Sequence, residues 1–386
     1  MWGCHRTPSI SCIPSTPFTP LLTMASSYRS IRDFDWALLI VALGICGLGV
    51  LQIFSATRDT IWRDAWWKQI IYIAVALLLM WIISRIDYHT LLAQVPVLYV
   101  ISVLALVATF VVGKTVFGSR RWIPIAGFRL QVSEFVKLVL VLLVARFLTE
   151  LKTEQLELAD LLKLAGLIGI PVVLVMKQPD LGTALTYLPV LAVGVVLAGL
   201  PWRYAAAMVL IFALVLPVSW FVLKDYQKAR LVSFVDPNQD PKGTGYQVIQ
   251  SKIAVGSGGM WGRGVTHGTQ TQYRFLPVPH TDFIFSAFAE EHGFVGVIFS
   301  LGLYFLLLMQ IVQNAQMSPD RAGMYICMGV AALLLFHVLV NVGMVVGRMP
   351  VTGIPLPLMS SGGSNIMSVF LMLGLVNNVR LRRFIG

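Results

Sequence analysis

Charge is what this 386-residue chain most lacks: Asp, Glu, Lys and Arg make up 12% of it, about half the share of a soluble globular domain. Soluble domains of this total length would not cover their surfaces with so few charges, so soluble enzymes are excluded as a class. Negative charge is the scarcer sign, with 18 Asp and Glu against 29 Lys and Arg and a formal net charge of +11. Yet no run of five to eight residues is rich in Lys and Arg, so the excess points to membrane topology and anionic lipid rather than nucleic acid. Cysteine is scarce too. Cys4, Cys12, Cys46 and Cys327 form no Cys-x-x-Cys pair, so neither a disulfide framework nor a zinc site is indicated. His89, His267, His280, His292 and His337 show no metal-ligand spacing and read as structural. A Gly-x-x-x-x-Gly-Lys-Ser/Thr phosphate loop is missing. So is the short apolar core before a small-residue cleavage site that marks a signal peptide.

What is present is apolar: 57% hydrophobic residues and a mean hydropathy of +0.79. Stretches long and apolar enough to span a bilayer occur at 36–55, 69–84, 91–112, 132–149, 161–176, 183–199, 203–223, 293–313, 322–347 and 364–379. The fold predicted is an all-α polytopic membrane protein of about ten transmembrane helices, with a long extracytoplasmic loop, 224–282, between spans seven and eight. Residues 1–28, rich in Ser, Thr and Pro, are expected to be a disordered extension. Residues 29–386 form one membrane domain, and Met24 offers an alternative start.

With ten spans both termini share a side. Basic residues of short loops mark the cytoplasmic side. With the two long loops 113–131 and 224–282 set aside, the termini and even-numbered loops carry 12 Lys and Arg and the odd-numbered loops 5. Both termini are therefore expected in the cytoplasm. The polar segments all fall on the odd loops: Gly118-Ser119-Arg120-Arg121-Trp122, Gln178-Pro179-Asp180, 224–282, and Gly347-Arg348 with Ser360-Ser361-Gly362-Gly363-Ser364. One face, the extracytoplasmic one, is built for chemistry or recognition.

Ionisable residues in or beside apolar spans are the functional candidates. Glu134 and Lys137, at i and i+3, share a helix face. They read either as an ion pair positioning helices or as a site where Lys137 meets an anionic headgroup. Asp180 is an N-cap for the sixth span, a role compatible with a place in a site. Glu290 and Glu291 mark a break near Gly293. The glycines of 243–268 read either as a flexible loop or as backbone shaped for close approach to a ligand, with Lys252 and Arg263 facing phosphate. Asp282, where polar loop meets apolar helix, is either an N-cap or a reactive carboxylate.

At these residues the chain resembles the SEDS family (shape, elongation, division and sporulation), in its RodA rather than its FtsW form. The resemblance rests on Gln178-Pro179-Asp180-Leu181-Gly182-Thr183, Gln250-Ser251-Lys252-Ile253-Ala254, Gly268-Thr269-Gln270, His280-Thr281-Asp282-Phe283-Ile284-Phe285 with Glu290-Glu291, and Pro355-Leu356-Pro357-Leu358. It covers roughly residues 30–380. It implies ten spans with cytoplasmic termini and a peptidoglycan glycosyltransferase that polymerises lipid II, an undecaprenyl-diphosphate disaccharide-peptide, on the outer face of the cell membrane during elongation and shape maintenance. The family's catalytic aspartate falls on Asp282, its Ser-Glu-x-x-Lys segment on Ser133, Glu134 and Lys137, its Gln-Pro-Asp aspartate on Asp180, and its Arg-Trp pair on Arg121 and Trp122. Two positions depart from the pattern: Val132 stands where the family usually has proline, and Ser361 where it often has tyrosine.

On this reading Asp282 is the general base. Lys137, Arg121 and Lys252 are the candidates for stabilising the diphosphate, with or without a divalent cation such as Mg2+ bridging phosphate and carboxylate. The partners implied are a class B penicillin-binding protein, since the chain has no crosslinking domain of its own, other elongation-complex proteins, and membrane lipid. The rival readings are a lipid II flippase and a non-enzymatic scaffold for the penicillin-binding protein.

Overall fold

The computed structural model describes residues 33–116, 119–125, 128–151, 156–223, 225–240 and 243–383; the extension expected over 1–28 lies outside them. Every predicted apolar stretch is helical. The first four helices are α1 (Trp36–Thr57), α2 (Ala65–Arg85), a short α3 (Tyr88–Ala93) and α4 (Val95–Val112). A three-stranded antiparallel sheet follows, β1 (Lys114–Val116), β2 (Ser119–Ile125) and β3 (Phe128–Leu130), in that spatial order, with Lys114 opposite Trp122 and Ile123 opposite Leu130. Then come α5 (Val132–Thr149), α6 (Leu158–Lys177), α7 (Leu181–Leu185), α8 (Leu188–Leu197) and α9 (Trp202–Val222). The sixth predicted span is thus broken between α7 and α8.

The segment 224–282 is not the plain loop that its glycines suggested. It holds α10 (Asp225–Val235), a 3-10 turn at Pro237–Gln239, α11 (Thr244–Ser257) and α12 (Thr269–Gln272). Val248, Ser251 and Ala254 recur every third residue and are buried on a helix that packs against α13 (Ile284–Gln316). Glycine and polar residues between them hid that period. The chain ends with α14 (Arg321–Val345) and α15 (Gly363–Leu381).

Among the described residues seven helices, α1, α2, α4, α6, α13, α14 and α15, are long and apolar enough to cross a membrane, where about ten were expected. In α14 and α15, 67% and 78% of the apolar window is buried, against 17% in α4. The last two helices are therefore the centre of the bundle, and α4 turns Val97, Ile101 and Leu104 outward, as a lipid-facing helix does.

α13 bends where Glu290, Glu291 and Gly293 led us to expect a break. Gly293 has φ 65° and ψ −167°, a backbone region essentially confined to glycine. Four backbone groups freed there are taken by residues 259–264: Arg263 N–H donates to Glu290 O (3.0 Å), Gly264 N–H to Glu291 O (3.0 Å), Phe294 N–H to Gly259 O (2.9 Å) and Val295 N–H to Met260 O (3.1 Å). A break in an apolar helix survives only when its polar groups find such partners. Glu290 in turn accepts from the Gln270 and Thr271 N–H groups at 2.8 and 3.1 Å, fixing the start of α12. Glu291 accepts from Ser55 and from Gln52 on α1.

At the opposite end Asp35 caps α1 through Leu38 N–H. The same buried carboxylate accepts from Gln310, Asn314 (2.7 Å) and Arg380 (2.9 Å), while Asp35 N–H donates to Asn377. The beginning of α1 and the end of α15 are thereby joined.

Candidate active site

Between α12 and α13 the chain runs through Pro277 and Pro279 to Asp282. Three consecutive carbonyls there are held from outside. His280 O accepts from Ser361 N–H (2.9 Å), Thr281 O from Ser360 Oγ (2.8 Å) and Asp282 O from Asn341 Nδ2 (2.9 Å). Asn341 also donates to Ile354 O at 2.8 Å, so one side chain of α14 clamps the Asp282 segment to the α14–α15 connection. The N-cap of α13 is Phe283, with no side chain capping it. Asp282 is therefore not a helix cap, and its carboxylate is left for other work. It lies beside Gly353, where an added Cβ would stand 3.3 Å from Asp282 Oδ2.

Asp180 is the cap that its position suggested. Its carboxylate accepts from Thr183 N–H (3.2 Å) and Thr183 Oγ1 (2.9 Å) at the start of α7. It also binds Gln131 Nε2 at 3.0 Å and Arg121 Nη1 at 2.9 Å. Gly182 allows this helix start to touch the α14–α15 connection, since a Cβ there would meet Thr352 O at 2.5 Å. Trp122, next to Arg121 on β2, is half-buried.

These charges reach Asp282. Removal from water pushes its carboxyl above the ordinary carboxylate range; Arg121 and Arg230 pull it back, Asp180 adds to the rise, and a hydrogen bond from Thr281 lowers it. The charges that act on Asp282 are thus those of Asp180, Arg121 and Arg230. Lys252, on α11, lies with its exposed side chain across Gly347 and is not among the charges acting on Asp282.

Glu134 and Lys137 form the ion pair that their spacing implied, at 2.8 Å and almost wholly buried. Lys137 Nζ also lies 3.0 Å from His337 Nε2. Leu333 O lies 2.8 Å from His337 Nδ1, which makes Nδ1 the donor and leaves Nε2 to accept from the ammonium. Tyr187 hydroxyl donates to Ser133 O at 2.9 Å, and Ser368 Oγ to Glu134 O at 2.7 Å. Lys137 is therefore held inside the bundle by α5 and α14, not presented on its surface. Among the described residues no group of three His, Cys, Asp or Glu side chains is arranged to hold a metal ion.

The model of the FtsW, RodA and SpoVE family, described as cell cycle proteins, matches residues 35–383. The chain belongs to this family. It is 38% identical over 356 residues to the peptidoglycan glycosyltransferase MrdB of Escherichia coli (strain K12), covering 90% of this chain and 94% of that one. It is 32% identical over 430 residues to the peptidoglycan glycosyltransferase RodA of Treponema pallidum (strain Nichols), covering 92% and 99%. Among solved structures, a chain from work on structural coordination of polymerization and crosslinking by a peptidoglycan synthase complex superposes with a TM-score of 0.80 at 36% identity, covering 92% of this chain and 99% of that one. The rod shape determining protein RodA of Thermus thermophilus gives 0.68 at 31%, covering 91% and 98%.

For this SEDS chain, sequence reasoning missed two residues of the site. Asn341 is a polar residue inside apolar α14, which its setting alone could have flagged. Arg230, one cation among several in an amphipathic segment, carried no signal.

Proposed function

We propose that the protein is a peptidoglycan glycosyltransferase that polymerises lipid II during cell elongation. The observation that carries this is a carboxylate, Asp282, whose backbone is fixed at three successive carbonyls, whose side chain caps nothing, and which two arginines flank electrostatically. The names of the relatives support the reading. In the reaction Asp282 takes the proton from the acceptor sugar hydroxyl as its oxygen attacks the anomeric carbon of the donor. The bond from that carbon to the diphosphate oxygen breaks, and undecaprenyl diphosphate leaves with the electron pair. Diphosphate is already a good leaving group, so no general acid is needed; the charge developing on it is met by cationic groups of the site.

On this reading the chain crosses the cell membrane ten times with both termini in the cytoplasm, the Asp282 face lies outside, and a class B penicillin-binding protein crosslinks the product. Glu134 and Lys137 then act from below by fixing α5 against α14, the helix whose Asn341 holds Asp282.

The test is polymer formation from lipid II by the purified protein, with and without its penicillin-binding partner, for wild type and Asp282→Asn. General-base catalysis is worth roughly 10²–10⁴-fold, so an equally folded Asp282→Asn variant should lose at least that lower factor. Equal polymer from both would remove Asp282 as base and leave Asp180 and Glu134 to be tested. Wild type that makes none, even with its partner, would overturn the enzyme reading itself.

A further inference from the structure

Arg230 stands at the middle of α10, outside every motif that marked the site. Its Nη1 donates to Val351 O at 3.1 Å, while the carboxylate of Asp282 lies against Gly353, two residues further on, and Asn341 ties Ile354 O to Asp282 O. Arg230 and Asp282 thus rest on the same four residues, 351–354. The two arginines of the site differ in one respect. Arg121 is matched by Asp180 at 2.9 Å. Arg230 is exposed and, among the described residues, no carboxylate pairs with it.

We infer that Arg230 receives the diphosphate of the lipid-linked donor, with Arg121, already neutralised by Asp180, as the secondary contact. The inference rests on the polymerase reading above and gives the leaving group a place within it. An exposed arginine with no carboxylate in ion-pair contact is suited to a bidentate grip on phosphate, and beside the base it puts the departing group next to the reacting hydroxyl. It also couples binding to chemistry. Arg230 lowers the proton affinity of Asp282; once a diphosphate takes up that positive charge, Asp282 becomes the stronger base.

The test measures binding of undecaprenyl diphosphate, and of uncharged undecaprenol as control, to the full-length protein in nanodiscs, alongside the KM and kcat for lipid II. Arg230→Gln should weaken undecaprenyl diphosphate roughly ten- to hundred-fold, as loss of a hydrogen bond between charged groups does, raise KM for lipid II in step, and leave undecaprenol unchanged. Arg230→Lys should fall between the two, because it keeps the charge and loses the fork. Undecaprenyl diphosphate binding Arg230→Gln as tightly as wild type overturns the inference, whatever happens to turnover. If Arg230→Gln does not fold, Arg230→Lys decides: binding equal to wild type overturns the bidentate grip. Direct binding keeps this separate from the polymerase reading, which fails only if wild type makes no polymer.

Discussion

Gly293→Ala should cost this protein most or all of its stability, although it adds a single methyl group to a 33-residue helix. Three effects combine. The backbone at φ 65° and ψ −167° is strained for any residue with a Cβ, worth about 1–3 kcal/mol. The new Cβ would stand 2.2 Å from Gly262 N and 2.7 Å from Met260 O, backbone atoms that move only if residues 259–264 move. Moving them breaks up to four hydrogen bonds across the gap, at roughly 0.5–1.5 kcal/mol each. The sum is roughly 3–9 kcal/mol, comparable with the whole stability of a folded domain. Gly302→Ala, nine residues along the same helix, is the matched control: nothing lies within 4 Å of its Cβ, and alanine should stabilise the helix by roughly 0.5–1 kcal/mol. The assay is thermal unfolding of both purified variants, with yield from the membrane fraction. Gly293→Ala unfolding within a degree or two of Gly302→Ala would refute the account of the break.

The pH dependence of polymerisation should show an acid limb above the ordinary carboxylate range, because burial raises Asp282 and only the ionised base is active. Rates should fall as pH drops through that raised value. In Arg230→Gln the limb should move to still higher pH, since a charge that stabilised the anion is gone; a limb that stays put would sever the two residues. The buried Glu134–Lys137 pair gives a stability prediction. Lys137→Met leaves Glu134 charged and unmatched, at a cost of about 3–5 kcal/mol, whereas replacing both residues by Met should recover most of it. Melting temperatures of the two variants decide, and a double variant as unstable as the single would show that Lys137 and Glu134 are not coupled.

The helices were legible because long apolar runs in so uncharged a chain fold as helices: the 132–149 stretch is α5 from end to end. The Asp180 cap and the Glu134–Lys137 pair were legible because both follow from local spacing. What spacing could not give was the company each residue keeps across the bundle. Asn341, 59 residues from Asp282 in the chain, holds its carbonyl; Arg121 meets Asp180 from a different element altogether. The glycines of 256–264 were left between a flexible loop and a close-approach backbone for a related reason. Nothing local fixes them, but residues 259–264 pair with the carbonyls and amides of Glu290–Val295, and a Cβ at Gly258 or Gly262 would stand 2.1 or 2.2 Å from the carbonyl oxygen of Ala289 or Glu291.

The junction at Asp35 has a consequence for the chain as a string. α1 begins and α15 ends within one hydrogen-bonded knot, so the bundle is a nearly closed loop and the two ends leave it side by side. A short linker between them would complete the ring and allow the chain to be opened elsewhere, at any surface turn between helices, with the order of packing preserved. Fluorescent halves fused at Asp33 and Arg383, beside that knot, would meet over the same patch, and their joining would report an assembled bundle rather than two separate helices.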